Sequence, residues 1–149
     1  MAQVLVAVAV VVVAALVAMV LRRRTRPDAP SQPRSYTVPV QLDRGDFPRP
    51  DAPWLVAVFT SATCNSCADV RAKAAVLACD DVVVHEAEYT AAKALHQRYS
   101  IDAVPATLIV DRAGVVQASF LGPVTATDLW AAVAEARQPG TSPEPELGH

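Results

Sequence analysis

Trp54-Leu55-Val56-Ala57-Val58-Phe59 is an unbroken apolar run that stops at a small polar loop, and two cysteines, Cys64 and Cys67, follow with two residues between them. A strand that is apolar at consecutive positions suits a sheet covered on both faces. From Ser66 to Cys79 the chain is rich in Ala, Val, Leu, Arg and Lys, which predicts a helix opening at the cysteine pair. The chain therefore needs a sheet with helices against it and a reactive corner where a strand meets a helix. At that corner the helix N-terminus leaves backbone N–H groups without partners and carries the positive end of the helix dipole. A sulfur placed there is favoured as the thiolate, which is the reactive form.

The length of 149 residues suits one ordinary domain with extensions. Residues 4–21 hold no polar side chain. As a helix this run reaches about 27 Å, close to the roughly 30 Å of bilayer hydrocarbon. No Lys or Arg precedes it and Arg22-Arg23-Arg24 follows at once, which favours a retained span over a cleaved signal. We therefore expect a transmembrane helix over 1–21. The positive flank places the following domain on the cytoplasmic side of the cell membrane, with the N-terminus outside. Residues 22–35 are basic and carry Pro27, Pro30 and Pro33, an extended linker. Arg22, Arg23, Arg24, Arg26 and Arg34 all lie in this segment, whereas the only acidic residue before Tyr36 is Asp28. The remainder is acidic on balance, which argues against nucleic acid as a partner.

Beyond the linker, Tyr36 to Leu42 alternates in part and is expected as a first strand, with Pro39 confining it to an edge. Asp43 to Pro53 is a loop with at most one helical turn. Val70, Ala74, Leu77 and Ala78 share a stripe of the helix that follows the cysteines. A strand is expected from Val82 to about Ala87, and a helix from Thr90 to Tyr99 with Thr90 as its cap. Thr107–Val110, the turn Asp111–Gly114 and Val115–Leu121 make a hairpin. Thr125–Arg137 is an amphipathic helix with Leu129, Trp130 and Val133 inward. Residues 138–149 have three prolines and no periodicity, and are expected to be disordered. His85, His96 and His149 are expected as surface or tail residues, Trp54 and Trp130 as core or rim aromatics, and Tyr99 as packed inside. Alternating strands and helices predict an α/β domain over 36–137 with a partly parallel sheet, to which the hairpin adds antiparallel strands.

Cys64-Asn65-Ser66-Cys67 after a buried strand, and Tyr99-Ser100-Ile101-Asp102-Ala103-Val104-Pro105-Ala106-Thr107-Leu108 downstream, resemble the thioredoxin superfamily. The likeness covers about Tyr36 to Arg137 and extends to the hairpin and last helix. The span with its basic flank looks like the small membrane-anchored thioredoxin-like proteins of bacteria. The resemblance implies a three-layer α/β/α fold with a central mixed sheet, here preceded by one transmembrane helix. It implies a cis Val104–Pro105 bond facing the cysteines, with Val104, Pro105 and Thr63 meeting the substrate. It implies a redox disulfide Cys64–Cys67, with protein disulfides as substrates, a further redox partner that recharges the pair, no cofactor and a monomer. The chain departs from the family where thioredoxins carry Trp before the first cysteine and Gly-Pro between the two: Thr63, Asn65 and Ser66 stand there. The family's buried acid, six residues before the first cysteine, is Val58. Glu86 and Glu88 lie on the next strand, with nothing in the sequence to aim either at the site.

In the expected chemistry Cys64 attacks a substrate disulfide, and Cys67, one turn on, expels the reduced substrate. Two other functions stay open at this point. One is a non-catalytic thioredoxin-like module that presents the Val104–Pro105 face to another protein, suggested by the missing acid and Trp. The other is a metal-binding protein, since Cys64, Cys67, Cys79 and His85 follow a C-x2-C-x11-C-x5-H spacing. A continuous helix would put Cys79 about 18 Å from Cys67, so no metal site is expected. Cys79 is expected as a half-buried small hydrophobe.

Overall fold

The computed structural model describes residues 37–140. Its four strands are β1 (Trp54–Thr60), β2 (Val82–Glu88), β3 (Ala106–Asp111) and β4 (Val116–Leu121), and its helices are α1 (Cys67–Ala75), α2 (Lys93–Arg98) and α3 (Ala126–Arg137). The strand order is β2-β1-β3-β4, with β1 parallel to β2 and antiparallel to β3, and β3 antiparallel to β4. The sheet is therefore mixed. The predicted segments 1–21 and 22–35, and residues 141–149 of the tail, lie outside the described residues. Among the described residues no helix is long and apolar enough to cross a membrane.

β1 is apolar throughout because each of its faces is a core. Leu55, Ala57 and Phe59 join Phe47, Val83, Ala87 and Leu108 on one side, against which Leu95 and Tyr99 pack. Val56 and Val58 join Val70 and Ala74 of α1, Ile109, and Leu129 and Val133 of α3 on the other. Period-two alternation thus feeds two separate cores, and the layers are α2, sheet, then α1 with α3.

Several expectations change. Thr37 to Leu42, the described part of the expected first strand, forms no strand; it makes one isolated antiparallel bridge, Gln41 to Val115, beside the hairpin. Leu42 N–H donates to Gly114 O (2.8 Å) and Val116 N–H to Val40 O (2.9 Å). Leu42 anchors the segment in the core, while Val40 is 80% exposed, and Pro39 has no N–H to extend the ladder. The approach of Leu42 also requires the glycine of the turn. Gly114 has φ +86°, and a Cβ there would lie 2.0 Å from Leu42 O. After Leu42 the loop makes a single helical turn, Arg44–Asp46, within the expected bound of at most one.

α1 ends at Ala75 instead of running to Cys79. Leu77 and Ala78 close tight turns onto Ala74 and Ala75, and Cys79 and Val82 exchange backbone hydrogen bonds that reverse the chain into β2. Cys79 is exposed, not half-buried, and Ala78 is exposed as well. α2 starts at Lys93 and Thr90 does not cap it: the Glu88 carboxylate takes the N–H groups of Thr90 (2.8 Å) and Ala91 (3.0 Å) instead. His96 is no surface residue. It is 3% exposed, with Nε2 2.9 Å from Ala87 O and its ring edge-on to Phe59 and Tyr89. Ala92, Leu95, His96 and Tyr99 follow i, i+3, i+4, i+7 spacing, the helical core pattern that places a histidine inside. On α3, Thr125 is the N-cap and accepts from Asp128 N–H. Trp130 is not on the inner face: it is 43% exposed and its Nε1 donates to Lys73 O (3.1 Å).

Candidate active site

β1 delivers the cysteine loop at the end of the sheet where β3 begins. Phe59 is in register with Ala106, so the loop after Thr60 and the Val104–Pro105 peptide leave the same sheet end. That peptide is cis. Pro105 is buried, Val104 is half-buried, and Pro105 O accepts from Gly122 N–H (2.8 Å).

The loop itself is two successive turns. Cys64 N–H donates to Ser61 O (3.1 Å), and Cys67 N–H donates to Cys64 O (3.4 Å). These turns bring the two Cα atoms to 5.5 Å, and the sulfurs are joined at 2.10 Å with a dihedral of 89°. Their environments differ. Cys67 is the first residue of α1 and is 4% exposed, whereas Cys64 is only half-buried. Ser66, at the N-cap, has helical φ/ψ and makes no side-chain capping bond. Its hydroxyl lies 3.8 Å from Cys64 Sγ. The helix terminus therefore keeps its electropositive character next to the sulfurs. Thr63 is exposed and its hydroxyl lies 3.2 Å from that of Ser61; Asn65 is also exposed.

A cleft of ≈ 210 Å³ opens beside the pair, lined among others by Thr60, Cys64, Cys67, Arg71, Glu86 and Glu88. The sequence did not aim the two carboxylates at this site; the β1–β2 register does. Val82, Val84, Glu86 and Glu88 alternate onto the α1 face of β2, and their partners include Val58 and Thr60. Glu86 accepts from the buried Thr60 hydroxyl (2.8 Å) and pairs with Arg71 (3.3 Å). Glu88 accepts from the N–H groups of Ala62 (3.3 Å), Thr90 and Ala91. The Ala91 bond, and behind it those of Thr90 and Ala62, hold the Glu88 carboxyl below the usual carboxylate range against the opposing effect of desolvation. Period two along β2 was the signal available for this placement.

His85 points to the opposite face, edge-on to Phe47. Burial lowers its pKa, and the neighbouring Glu86 partly offsets that. Cys64 and Cys67 are bonded to each other, and Cys79 lies exposed in the turn beyond α1. Among the described residues no group of three or more His, Cys, Asp and Glu is placed to hold a metal ion.

No protein-family model matches the sequence, and no curated protein matches it. Solved structures do resemble it. A single-residue mutant of thioredoxin from Halobacterium salinarum NRC-1 superposes with a TM-score of 0.51 at 21% identity, over 58% of this chain and 75% of that one. The germline-specific thioredoxin Deadhead of Drosophila melanogaster gives 0.51 at 21% identity, over 58% and 83%. Thioredoxin of Fasciola hepatica gives 0.51 at 19% identity, again over 58% and 83%. The fold is the thioredoxin fold.

Proposed function

We propose that this chain is a thiol–disulfide oxidoreductase that exchanges disulfides with protein substrates through Cys64 and Cys67. The observation that carries the reading is the unequal exposure of two bonded sulfurs at a helix N-terminus: Cys64 half-buried, Cys67 enclosed at the first position of α1. In the reduced state the accessible Cys64 thiolate attacks a substrate disulfide and forms a mixed disulfide. Cys67 then attacks Cys64 Sγ, the Cys64–substrate bond breaks, and the substrate leaves as a thiolate. The helix terminus stabilises the Cys64 thiolate both as nucleophile and as leaving group. Val104, at the same sheet end and joined to Pro105 by the cis bond, offers its backbone to an extended substrate segment, and the exposed Thr63 borders the approach to Cys64.

The apolar run 4–21 and the arginines after it support a single-pass anchor in the cell membrane, with the domain on the cytoplasmic side. A separate redox partner recharges the pair, and the anchored chain acts as a monomer.

Two variants test the chemistry. Cys64→Ser is expected to abolish turnover of a model disulfide, and Cys67→Ser to accumulate a mixed disulfide that non-reducing electrophoresis detects. Full activity in both variants overturns the reading. Protease digestion of inverted vesicles tests the topology: a domain that resists digestion there is not cytoplasmic.

A further inference from the structure

The resolving step raises a question that the cysteines alone do not answer. Cys67 is enclosed, and burial favours the neutral thiol over the thiolate it must become. Six residues before Cys64, where the resemblance implies an acid, Val58 is fully buried in the apolar core. Its register partner across the parallel ladder is Glu86. In-register residues of neighbouring strands project from the same face, so the carboxylate is displaced by one strand and stays on the side that α1 covers.

Two contacts hold Glu86 there. The Thr60 hydroxyl, from the last residue of β1, donates to Oε1 (2.8 Å). Arg71, four residues after Cys67 on the same helix, pairs with Oε2 (3.3 Å). Both partners and both cysteines line one cleft of ≈ 210 Å³, well above the ~10–15 Å³ that one water needs. The charged groups facing this cleft are Arg71 from α1 and Glu86 and Glu88 from β2, while β1 contributes only the uncharged Thr60. Glu88 is committed elsewhere, to the backbone N–H groups of Ala62, Thr90 and Ala91. Asp69 and Lys73, also on α1, pair with each other.

We infer that Glu86 accepts the proton of Cys67 through cleft water when the mixed disulfide resolves. This rests on the oxidoreductase reading above. The Cys67 S–H bond breaks and its proton passes by way of water to a Glu86 oxygen. The freed sulfur lone pair forms the bond to Cys64 Sγ, and the Cys64–substrate S–S bond breaks with its electron pair leaving on the substrate thiolate. The cysteine pair is oxidised and the substrate disulfide reduced by two electrons. In the reverse direction Glu86 returns the proton to Cys67.

The test uses the full chain in detergent micelles, reduced, on a Cys79→Ser background, with the aromatic disulfide DTNB as substrate. The first chromophore released reports attack by Cys64 and the second reports resolution by Cys67. Glu86→Gln, which keeps shape but not basicity, is expected to slow the second phase relative to the first by about 100-fold, the scale of a lost general base. Added acetate is expected to restore the second phase in proportion to its concentration, which a merely structural role would not produce. A second phase in Glu86→Gln that is not slowed relative to the first, or a slowed one that acetate does not rescue, overturns this inference alone. No first phase in the parent protein overturns the oxidoreductase reading as well.

Discussion

Val58 and Glu86 stand opposite each other across the parallel β1–β2 ladder, the first fully buried and the second reaching out to Thr60 and Arg71. One rung separates an apolar side chain beneath α1 from a carboxylate that opens onto the cysteine cleft. The arrangement keeps charge out of the core, where an unpaired carboxylate costs several kcal/mol or neutralises, and still places a carboxylate beside the sulfurs.

Thiol counting separates the three cysteines. In the oxidised native chain only Cys79 is free, and it is exposed. One alkyl group is expected by mass spectrometry before reduction. After mild reduction Cys64 labels next and the enclosed Cys67 last. Label on Cys67 ahead of Cys64 contradicts the assignment of nucleophile and resolving residue.

Glu88 ties the loop before Cys64 to the turn after β2, and its contribution depends on pH with a definite sign. Its carboxyl lies below its ordinary value of 4.5 in the folded chain, chiefly through the Ala91 N–H. A group depressed by folding contributes stability above its unfolded value, and that contribution is lost as pH falls through the folded value. Glu88→Gln is therefore expected to lower Tm at neutral pH. The difference from the parent should shrink below pH 4.5 and vanish in stronger acid. A constant Tm gap across that range contradicts the assignment.

Two neighbours on α3 are expected to behave differently. Leu129 is 0% exposed and packs with Val56, Val70 and Ile109, whereas Trp130 is 43% exposed. Leu129→Ala should cost about 2–5 kcal/mol in urea unfolding, from lost transfer energy plus the cavity left behind. Trp130→Ala, despite the larger residue removed, should cost less because its ring is partly in water and only one hydrogen bond, to Lys73 O, is lost. Equal losses in the two variants contradict this division of the helix.

Much of the fold is legible in local pattern. The apolar run of β1, the strand from Val82 and the Asp111–Gly114 turn are written in consecutive residues, and each element lies within a residue or so of its signal. The less legible parts depend on neighbours distant in the chain. The partly alternating segment that ends at Leu42 reads as a strand until the hairpin leaves it room for a single bridge. The helix-compatible run to Cys79 stops at Ala75 because Trp54 pairs with Val82 and Trp54 N–H donates to Asp81 O, so the chain must already have turned back. His96 looks like a surface histidine until Phe59 and Tyr89 close over it.

By itself the sequence determined which segments from Trp54 onward are strands or helices and that two cysteines open a helix, because those properties follow from spacing within a few residues. Only the tertiary structure decided which carboxylate meets the cysteine cleft and which of the two sulfurs is enclosed. Those outcomes depend on the register of strands joined through a helix and on what packs over each side chain, and no short-range pattern carries that information.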